Sequence, residues 1–232
     1  MNKYIWVVII LIGVILTVTG LALTKNKTNY APDETKISSD CKEYFYNKDA
    51  KVRIVFFANK ETTEKYANYL LEASPYKENK DKMSIYYVDS YTPKCSIYKQ
   101  MALYCKSNEI EKAAEKCAAE YIIAFDNQPS NIRSSTYLNV LSLNVNHPLN
   151  VILHEFAHAF GKLEDEYIPA KLTSKKKNCL AKCEDFEGKG DGCFEGCAND
   201  EYYRSIESGI MKSLKASDYG KYNKDLLQEE FH

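Results

Sequence analysis

The sequence predicts an α/β fold, in the broad sense that includes α+β arrangements, with a mixed, twisted sheet and crossover helices. Two observations support this fold class. Apolar runs rich in β-branched and aromatic residues alternate with runs at helical spacing, and no internal repeat is present. A chain of 232 residues suits one domain of about 150–200 residues with an appendage.

Strands and helices are expected to alternate along the folded part. Apolar, β-branched runs predict strands at 51–58, 82–90, 121–127 and 135–145. Helical spacing and terminal signals such as Ser107, Pro148 and Gly161 predict helices at 61–74, 107–120 and 148–160. The last strand alternates apolar and polar residues, which indicates an edge strand with one face in solvent.

The N-terminal segment 1–24 contains an uncharged apolar run at 4–24, flanked by lysines. About 20 apolar residues suffice to cross the hydrocarbon core, so this run predicts a transmembrane anchor. The alternative is a cleaved signal peptide, because the small residues Gly20 and Ala22 have the spacing of a cleavage site. Under either alternative the rest of the chain is exported.

Residues 25–40 are polar and contain Pro and Ser, which predicts a flexible linker. Residues 41–232 are expected to form the folded domain, with a polar, cysteine-dense insert at 171–204 that is irregular or stapled by disulfides. The net charge is −1 with both signs mixed along the chain, which argues against a nucleic-acid partner.

All eight cysteines follow the apolar segment, and an even count in an exported domain is typical of disulfides. In the insert the spacing is symmetrical. If it forms an α-hairpin, Cys179 faces Cys197 and Cys183 faces Cys193. A four-cysteine zinc site is the alternative, although such sites favour closer pairs and a reducing compartment. The insert is then either a stapled surface loop or an exosite for substrate. The pairing of the other four cysteines is left open: Cys41, Cys95, Cys105 and Cys117.

The segment HEFAHAFGKLEDEY, residues 154–167, contains the pattern HExxH. Positions i and i+4 of a helix share a face, so His154 and His158 can bind one Zn²⁺. Glu155 is adjacent and can take a proton from a water at the metal. Catalytic zinc sites use three protein ligands, so one more is needed.

The third ligand is expected to be a carboxylate. The chain has four histidines, and the remaining two are poor candidates: His147 lies at the start of the helix and His232 is the C-terminal residue. One alternative is a glutamate from a later element: Glu184, Glu187, Glu195, Glu201 or Glu207. The other is a carboxylate from KLEDEY, directly after the helix.

Gly161 favours KLEDEY, because a helix that stops and reverses sharply needs a residue that tolerates positive φ. The spacing HExxHxxG resembles the metzincin pattern, in which the third ligand follows three residues later or nearby. At that offset the sequence has Glu164, followed by Asp165 and Glu166.

A closer resemblance is to the igalysins, the IgA-protease-like branch of the metzincins. HEFAHAFGKLEDEY is similar to their HEFGH and L-x-DEY signature, and VRIVFFA and SPYKENKDKMSIYYVDS are similar to segments upstream, so the resemblance covers 51–167. It implies a zincin-like catalytic domain with Asp165 as the third ligand, and Glu164 stays the alternative. Ala157 departs from the family, which usually has Gly there.

Metzincins also carry a methionine turn beneath the metal. SGIMKSL, residues 208–214, resembles that turn and would place Met211 in it; the alternative is an ordinary core methionine. The cysteine-dense insert lies between the DEY segment and this turn, so the family's substrate preference is not implied for this chain.

The function expected from this resemblance is zinc-dependent endopeptidase activity at the cell surface or outside the cell. Zn²⁺ is the expected cofactor, Glu155 the general base, and a protein or peptide the substrate, held along the edge strand at 135–145. The alternative is a catalytically silent, zincin-like binding or adhesion protein that displays the disulfide hairpin. Residues 4–24 would bind the membrane if they are not cleaved.

Overall fold

Residues 40–232 fold around one central sheet that is covered on both faces. The structure is a computed structural model and describes these residues. The expected anchor or signal segment, 1–24, lies outside the described residues, as does the linker 25–40 apart from Asp40. Within the described part, no helix is long and apolar enough to cross a bilayer.

The described residues form ten strands. In chain order they are β1 Lys42–Phe45, β2 Val52–Phe57, β3 Met83–Tyr87, β4 Ser96–Tyr98, β5 Ala102–Tyr104, β6 Tyr121–Asp126, β7 Ser135–Tyr137, β8 Val140–Asn144, β9 Phe194–Cys197 and β10 Asn199–Arg204. Six of them form the central sheet in the order β1-β3-β2-β6-β8-β7. The inner four strands are parallel, and β1 and β7 pair antiparallel at the edges, which confirms the predicted mixed sheet.

Four α-helices and two short 3₁₀ helices accompany the strands in residues 40–232. They are α1 Lys60–Glu72, α2 Asn108–Glu115, α3 Val151–Phe160 and α4 Lys221–Glu229, with 3₁₀ helices at Lys77–Lys82 and Cys183–Phe186. The side chain of Ser107 caps α2 by accepting a hydrogen bond from the Ile110 amide at 3.3 Å, as the sequence predicts.

The inner strands carry apolar residues on both faces because helices cover the sheet from both sides. Ile54 and Phe56 of β2 pack in the core formed with α1 and α3, whereas Val55 and Phe57 pack in a second core with α2. Phe156 of α3 is fully buried in the first core. This packing fixes α3, which carries the HExxH pattern, against one face of the sheet.

The expectation of a single strand at 135–145 is wrong. The chain forms a hairpin there, in which β7 and β8 pair antiparallel and Leu138 between them adopts a φ of 58°. Such a tight turn needs positive φ, which the apolar–polar alternation did not indicate. As a result β8 is buried between β6 and β7, and only the three residues of β7 lie at the edge.

Two helices are shorter than predicted. Helix α2 ends at Glu115 rather than residue 120, and Ala118 beyond it has a φ of 49°. Helix α3 begins at Val151 rather than Pro148. Its N-cap residue Asn150 does not cap it; the Asn150 amide instead donates to the carbonyls of Leu214 and Ala216, at 2.7 Å each. This contact ties the start of α3 to the segment after Met211.

All eight cysteines form disulfides. Cys41 bonds to Cys117 and Cys95 to Cys105, two pairs that the sequence left open. In the insert, Cys179 bonds to Cys197 and Cys183 to Cys193, which is the nested arrangement expected from the spacing. Four disulfides indicate an extracellular or secreted protein, because such bonds persist in oxidising compartments.

The insert is not an α-hairpin, so that part of the expectation is wrong. Its cysteines lie on extended chain and a 3₁₀ turn: Leu180 pairs with Tyr203 of β10 through two backbone hydrogen bonds of 3.1 and 2.8 Å. These pairings use backbone groups that a helix would need for itself. Gly196 in β9 has a φ of 81°, which also excludes a regular helix there.

Gly161 ends α3, but for a different reason from the predicted one. Its φ is −83°, an ordinary helical value, and the residue with positive φ is Lys162 at 57°. The glycine is instead favoured by a close approach of another helix. A Cβ at this position would overlap the Cδ2 of Leu227 in α4 and lie 3.2 Å from the Ala157 carbonyl oxygen.

Gly161→Ala is therefore expected to lower the free energy of unfolding by about 1–3 kcal/mol, the usual cost of overpacking a core. Leu227 is fully buried, so its side chain would have to shift within the core to admit the new methyl group. Urea denaturation measures the loss. In a Leu227→Ala background, the additional loss from Gly161→Ala should be smaller, because the overlapping atom is gone. Equal losses in the two backgrounds would contradict this explanation.

Candidate metal centre

Helix α3 places two histidine rings side by side. His154 and His158 are one helical turn apart, and their Nε2 atoms are 3.2 Å from each other. His154 is buried and His158 half-buried. The helix is held by its apolar face against the sheet, so both rings project from a fixed backbone into the cleft described below.

Backbone carbonyl groups fix the orientation of both rings. The Ile210 carbonyl oxygen is 2.9 Å from Nδ1 of His154, and the Leu163 carbonyl oxygen is 2.6 Å from Nδ1 of His158. A carbonyl can only accept, so each Nδ1 carries the hydrogen and donates it. When the rings are neutral, each Nε2 then has an unprotonated lone pair on the side that faces the other ring, as in histidine ligands of metals.

Asp165 completes the group. Its Oδ1 atom lies 3.1 Å from Nε2 of His154 and 3.1 Å from Nε2 of His158. The three atoms thus form a nearly equilateral triangle. Three protein ligands of a tetrahedral Zn²⁺, at bond lengths near 2.0–2.1 Å, lie about 3.3 Å apart. Both the donor types and their separations therefore fit zinc.

The electrostatics of the group favour a cation at its centre. Burial opposes ionisation of Asp165, but hydrogen bonding from His154 and His158 outweighs burial and holds the Asp165 pKa well below its usual range. Burial lowers the pKa of His158, but the Asp165 carboxylate outweighs it and raises this pKa to about 9.

The three consecutive acids after α3 point in three directions. Asp165 faces the histidines. Glu164 turns away from them, and its carboxylate accepts hydrogen bonds from the amide of Thr173 at 3.1 Å and from the Thr173 hydroxyl. Glu166 is buried and accepts from Asn178 and Asn223 at 3.1 and 2.8 Å. Glu164 and Glu166 therefore anchor the turn that presents Asp165.

Glu155 lies beside the histidines and lines the same cleft. Its Oε2 atom accepts a hydrogen bond of 2.8 Å from the hydroxyl of Thr136 in β7, and that hydroxyl is also 2.9 Å from the Glu155 carbonyl oxygen. The edge strand therefore orients the glutamate that the HExxH pattern nominates as a base.

Met211 lies in a turn that contacts the centre through its backbone. The preceding residue, Ile210, supplies the carbonyl that orients His154, and the Met211 carbonyl accepts from the Glu166 amide at 2.9 Å. The Met211 side chain is fully buried in the core with α3. The turn therefore links one histidine to the segment that carries Asp165.

The other candidate ligands lie elsewhere. Nδ1 of His147 is 3.0 Å from the Ser134 hydroxyl and its Nε2 is 3.2 Å from the Ser130 carbonyl, so this ring ties two loops together. In residues 40–232, the group of three that could hold a metal ion is His154, His158 and Asp165. It includes none of the later glutamates: Glu184, Glu187, Glu195, Glu201 and Glu207.

The centre opens into a cleft of about 840 Å³. Tyr167, two residues beyond Asp165, lines it and accepts a hydrogen bond of 3.1 Å from Arg133. Burial raises the Tyr167 pKa to about 12, and the charge of Asp165 adds to the effect. The Tyr167 hydroxyl therefore remains protonated at neutral pH and can donate a hydrogen bond to a bound molecule.

Several contributors to the centre were missed by the sequence analysis. The carbonyls of Ile210 and Leu163 carry no sequence signal, because any residue offers the same backbone group. Thr136 lies in the segment expected to be the edge strand, but nothing in its spacing connects it to Glu155. Its role follows from the β7–β8 hairpin, which brings β7 over the helix.

Comparison with known proteins identifies no relative, so the function is inferred from the chemistry of the site. No protein-family model matches the sequence, and no curated protein matches it significantly.

Proposed function

We propose that the protein is a zinc-dependent endopeptidase of the metzincin type, acting outside the cell. The observation that carries the proposal is the triangle of Nε2 of His154, Nε2 of His158 and Oδ1 of Asp165, with sides of 3.1 to 3.2 Å. Its donor set and spacing match the three-ligand sites of catalytic zinc, in which one position stays open for reaction. Glu155 at the rim of this triangle supports hydrolysis over simple metal storage.

His154, His158 and Asp165 would hold the metal. Bound Zn²⁺ supplies Lewis acidity, which acidifies a water molecule and polarises a carbonyl oxygen. The Ile210 and Leu163 carbonyls keep the imidazoles oriented and increase their basicity as ligands. Glu164 and Glu166 hold the turn that presents the third carboxylate.

Glu155 would act as general base and then as general acid. Its carboxylate takes a proton from the attacking water and delivers it to the leaving amine. Thr136 fixes the carboxylate through one oxygen, Oε2, which leaves Oε1 for the proton. The Tyr167 hydroxyl lines the cleft and is protonated, so it can donate to the developing oxyanion.

The metzincin assignment is supported by the order of the parts along the chain. The HExxH helix, a ligand turn directly after it, and a turn with a buried methionine follow one another, and the last two contact the histidines. An extended peptide would lie beside the edge strand β7, which places Thr136 between substrate and base.

Removal of the metal should abolish cleavage. The full chain, incubated with a denatured protein substrate, is expected to produce internal fragments. A chelator should stop the reaction, and stoichiometric Zn²⁺ should restore it. Identification of the new N-termini by mass spectrometry separates internal cleavage from trimming of the ends. A chain that binds one zinc yet cleaves no substrate would favour the alternative of a silent binding protein.

A further inference from the structure

Beyond the metal centre, the wall of the cleft is lined by cations from four separate segments. Arg133 precedes β7, Lys162 follows α3, Lys171 and Lys175 belong to the insert, and Lys212 lies in the turn after Met211. Their placement around one opening means that a bound molecule meets positive charge on several sides.

The acidic groups that line the same cleft are already engaged. Asp165 faces the histidines, Glu155 accepts from Thr136, and Glu164 accepts from Thr173. These contacts leave the carboxylates charged, so the three of them offset only part of the positive charge of the five cations in the same lining. With a divalent metal bound, the excess of positive charge would be larger still.

The five cations form no ion pair with any residue in the described part of the chain. Three of them donate only to uncharged oxygens. Arg133 donates to the Tyr167 hydroxyl, Lys162 to the Ala159 carbonyl, and Lys212 to the Glu207 carbonyl. Such acceptors satisfy hydrogen bonds but leave the full positive charge in place.

Lys162 and Lys175 line the same cleft and lie close enough to influence each other electrostatically. Burial lowers the Lys162 pKa, and the ammonium groups of Lys175 and Lys177 lower it further against an opposing effect of Glu230. The position of Lys162 is explained by its hydrogen bond to the last turn of α3, which caps the C-terminus of that helix. Lys171 and Lys175 donate no side-chain hydrogen bond within residues 40–232, so helix capping does not explain their position.

The insert segment that carries these two lysines is fixed rather than free at the wall of the cleft. Thr173 lies between them and is held by its amide and hydroxyl on the carboxylate of Glu164. Because Glu164 precedes Asp165, one short turn presents a metal ligand and positions the lysine-bearing segment. Glu164 is therefore a positioning residue for this wall of the cleft.

We propose that the cleft selects peptides with acidic side chains flanking the cleaved bond, with Lys162, Lys171 and Lys175 as specificity-determining residues. For cleavage, this inference rests on the proposed peptidase function; the charge preference in binding does not. Oppositely charged groups in a concave site concentrate a ligand and favour it over neutral competitors.

Binding is tested with the full-length Glu155→Gln chain in its zinc-loaded form. The substitution prevents cleavage, so the peptide probe is not consumed. The probes are a fluorescein-labelled glutamate-rich peptide and its glutamine and lysine counterparts, measured by fluorescence anisotropy. The glutamate peptide is expected to bind best, and its advantage should shrink as salt is raised. Equal affinities for the three peptides would overturn the proposal.

A matched pair of double variants locates the effect. Lys171→Gln/Lys175→Gln should reduce the preference for the glutamate peptide about 3- to 10-fold, as expected for two solvent-exposed charge pairs. Lys48→Gln/Lys60→Gln removes the same charge outside the cleft and should leave the preference in place. An equal reduction in both would show that net charge acts, and not the cleft.

Cleavage of the same peptides by the unmodified chain separates this inference from the proposed function. Preferential binding without cleavage would overturn the peptidase function and leave the charge selectivity standing. Cleavage of all three peptides at equal kcat/KM would support a peptidase and overturn the selectivity.

Discussion

Glu155→Gln is expected to lower kcat by at least about 10²-fold while the zinc content stays at one per chain. Positioned general bases contribute roughly 10²- to 10⁴-fold to such reactions, and glutamine cannot accept the proton. Glutamine keeps the size of the side chain and can still accept the hydrogen bond from Thr136. The fold and the three metal ligands should therefore be unaffected.

The measurement combines a rate with a metal count. Cleavage of a denatured protein is followed for the unmodified chain and for the variant, and zinc is determined by elemental analysis of the same preparations. Glu78→Gln serves as a matched control, since Glu78 is exposed and remote from the cleft. If the Glu155 variant retains the unmodified rate, Glu155 is not the base.

Asp165→Ala is expected to weaken zinc binding by more than about 100-fold. Removing a residue that only hydrogen-bonds to a metal ligand costs roughly 10- to 100-fold in affinity, and loss of the ligand itself should cost more. Alanine removes the Oδ1 atom that completes the triangle and leaves two histidines, which is too few for a catalytic site. Competition with a fluorescent zinc chelator measures the dissociation constant, and cleavage should be lost in parallel.

Substitution of the neighbouring residue, Glu164→Ala, distinguishes the two candidates for the third ligand. It should retain zinc, since its carboxylate faces Thr173, but the loss of those hydrogen bonds should loosen the segment around Thr173. Faster limited proteolysis after the lysines of that segment reports the loosening. The reverse outcome, with zinc retained in Asp165→Ala and lost in Glu164→Ala, would make Glu164 the third ligand.

The parts of the fold that periodicity determines were predictable from sequence. Strands β2, β3 and β6 and helix α1 lie close to the expected ranges, because continuous apolar runs and helical spacing follow directly from burial in a covered sheet. The HExxH spacing likewise placed His154 and His158 on one helical face. These features depend on local pattern alone.

Features that depend on tertiary contacts were not predictable. The turn at Leu138, which converts one expected strand into β7 and β8, uses positive φ at a residue with no sequence signal for it. Helix α3 ends at Phe160, as predicted, but Gly161 has an ordinary helical φ, and the close approach at this position is that of Leu227 in α4. Within the insert, β9 and Leu180 pair with β10, so this segment forms a small sheet and not a helical hairpin.

The choice among three consecutive acids shows the same limit at the site. Glu164, Asp165 and Glu166 are alike in sequence. Their directions are set by partners that lie between 7 and 57 positions away along the chain, namely His154, His158, Thr173, Asn178 and Asn223. Only the resemblance to a family signature favoured Asp165, and the structure then placed that carboxylate against the histidines.

Anomalous scattering at the zinc absorption edge, from crystals of the zinc-loaded chain, tests the central claim most directly. One peak is expected, about 2.0–2.2 Å from Nε2 of His154, Nε2 of His158 and Oδ1 of Asp165. A peak at another set of side chains, or no peak in protein that contains zinc in solution, would contradict it.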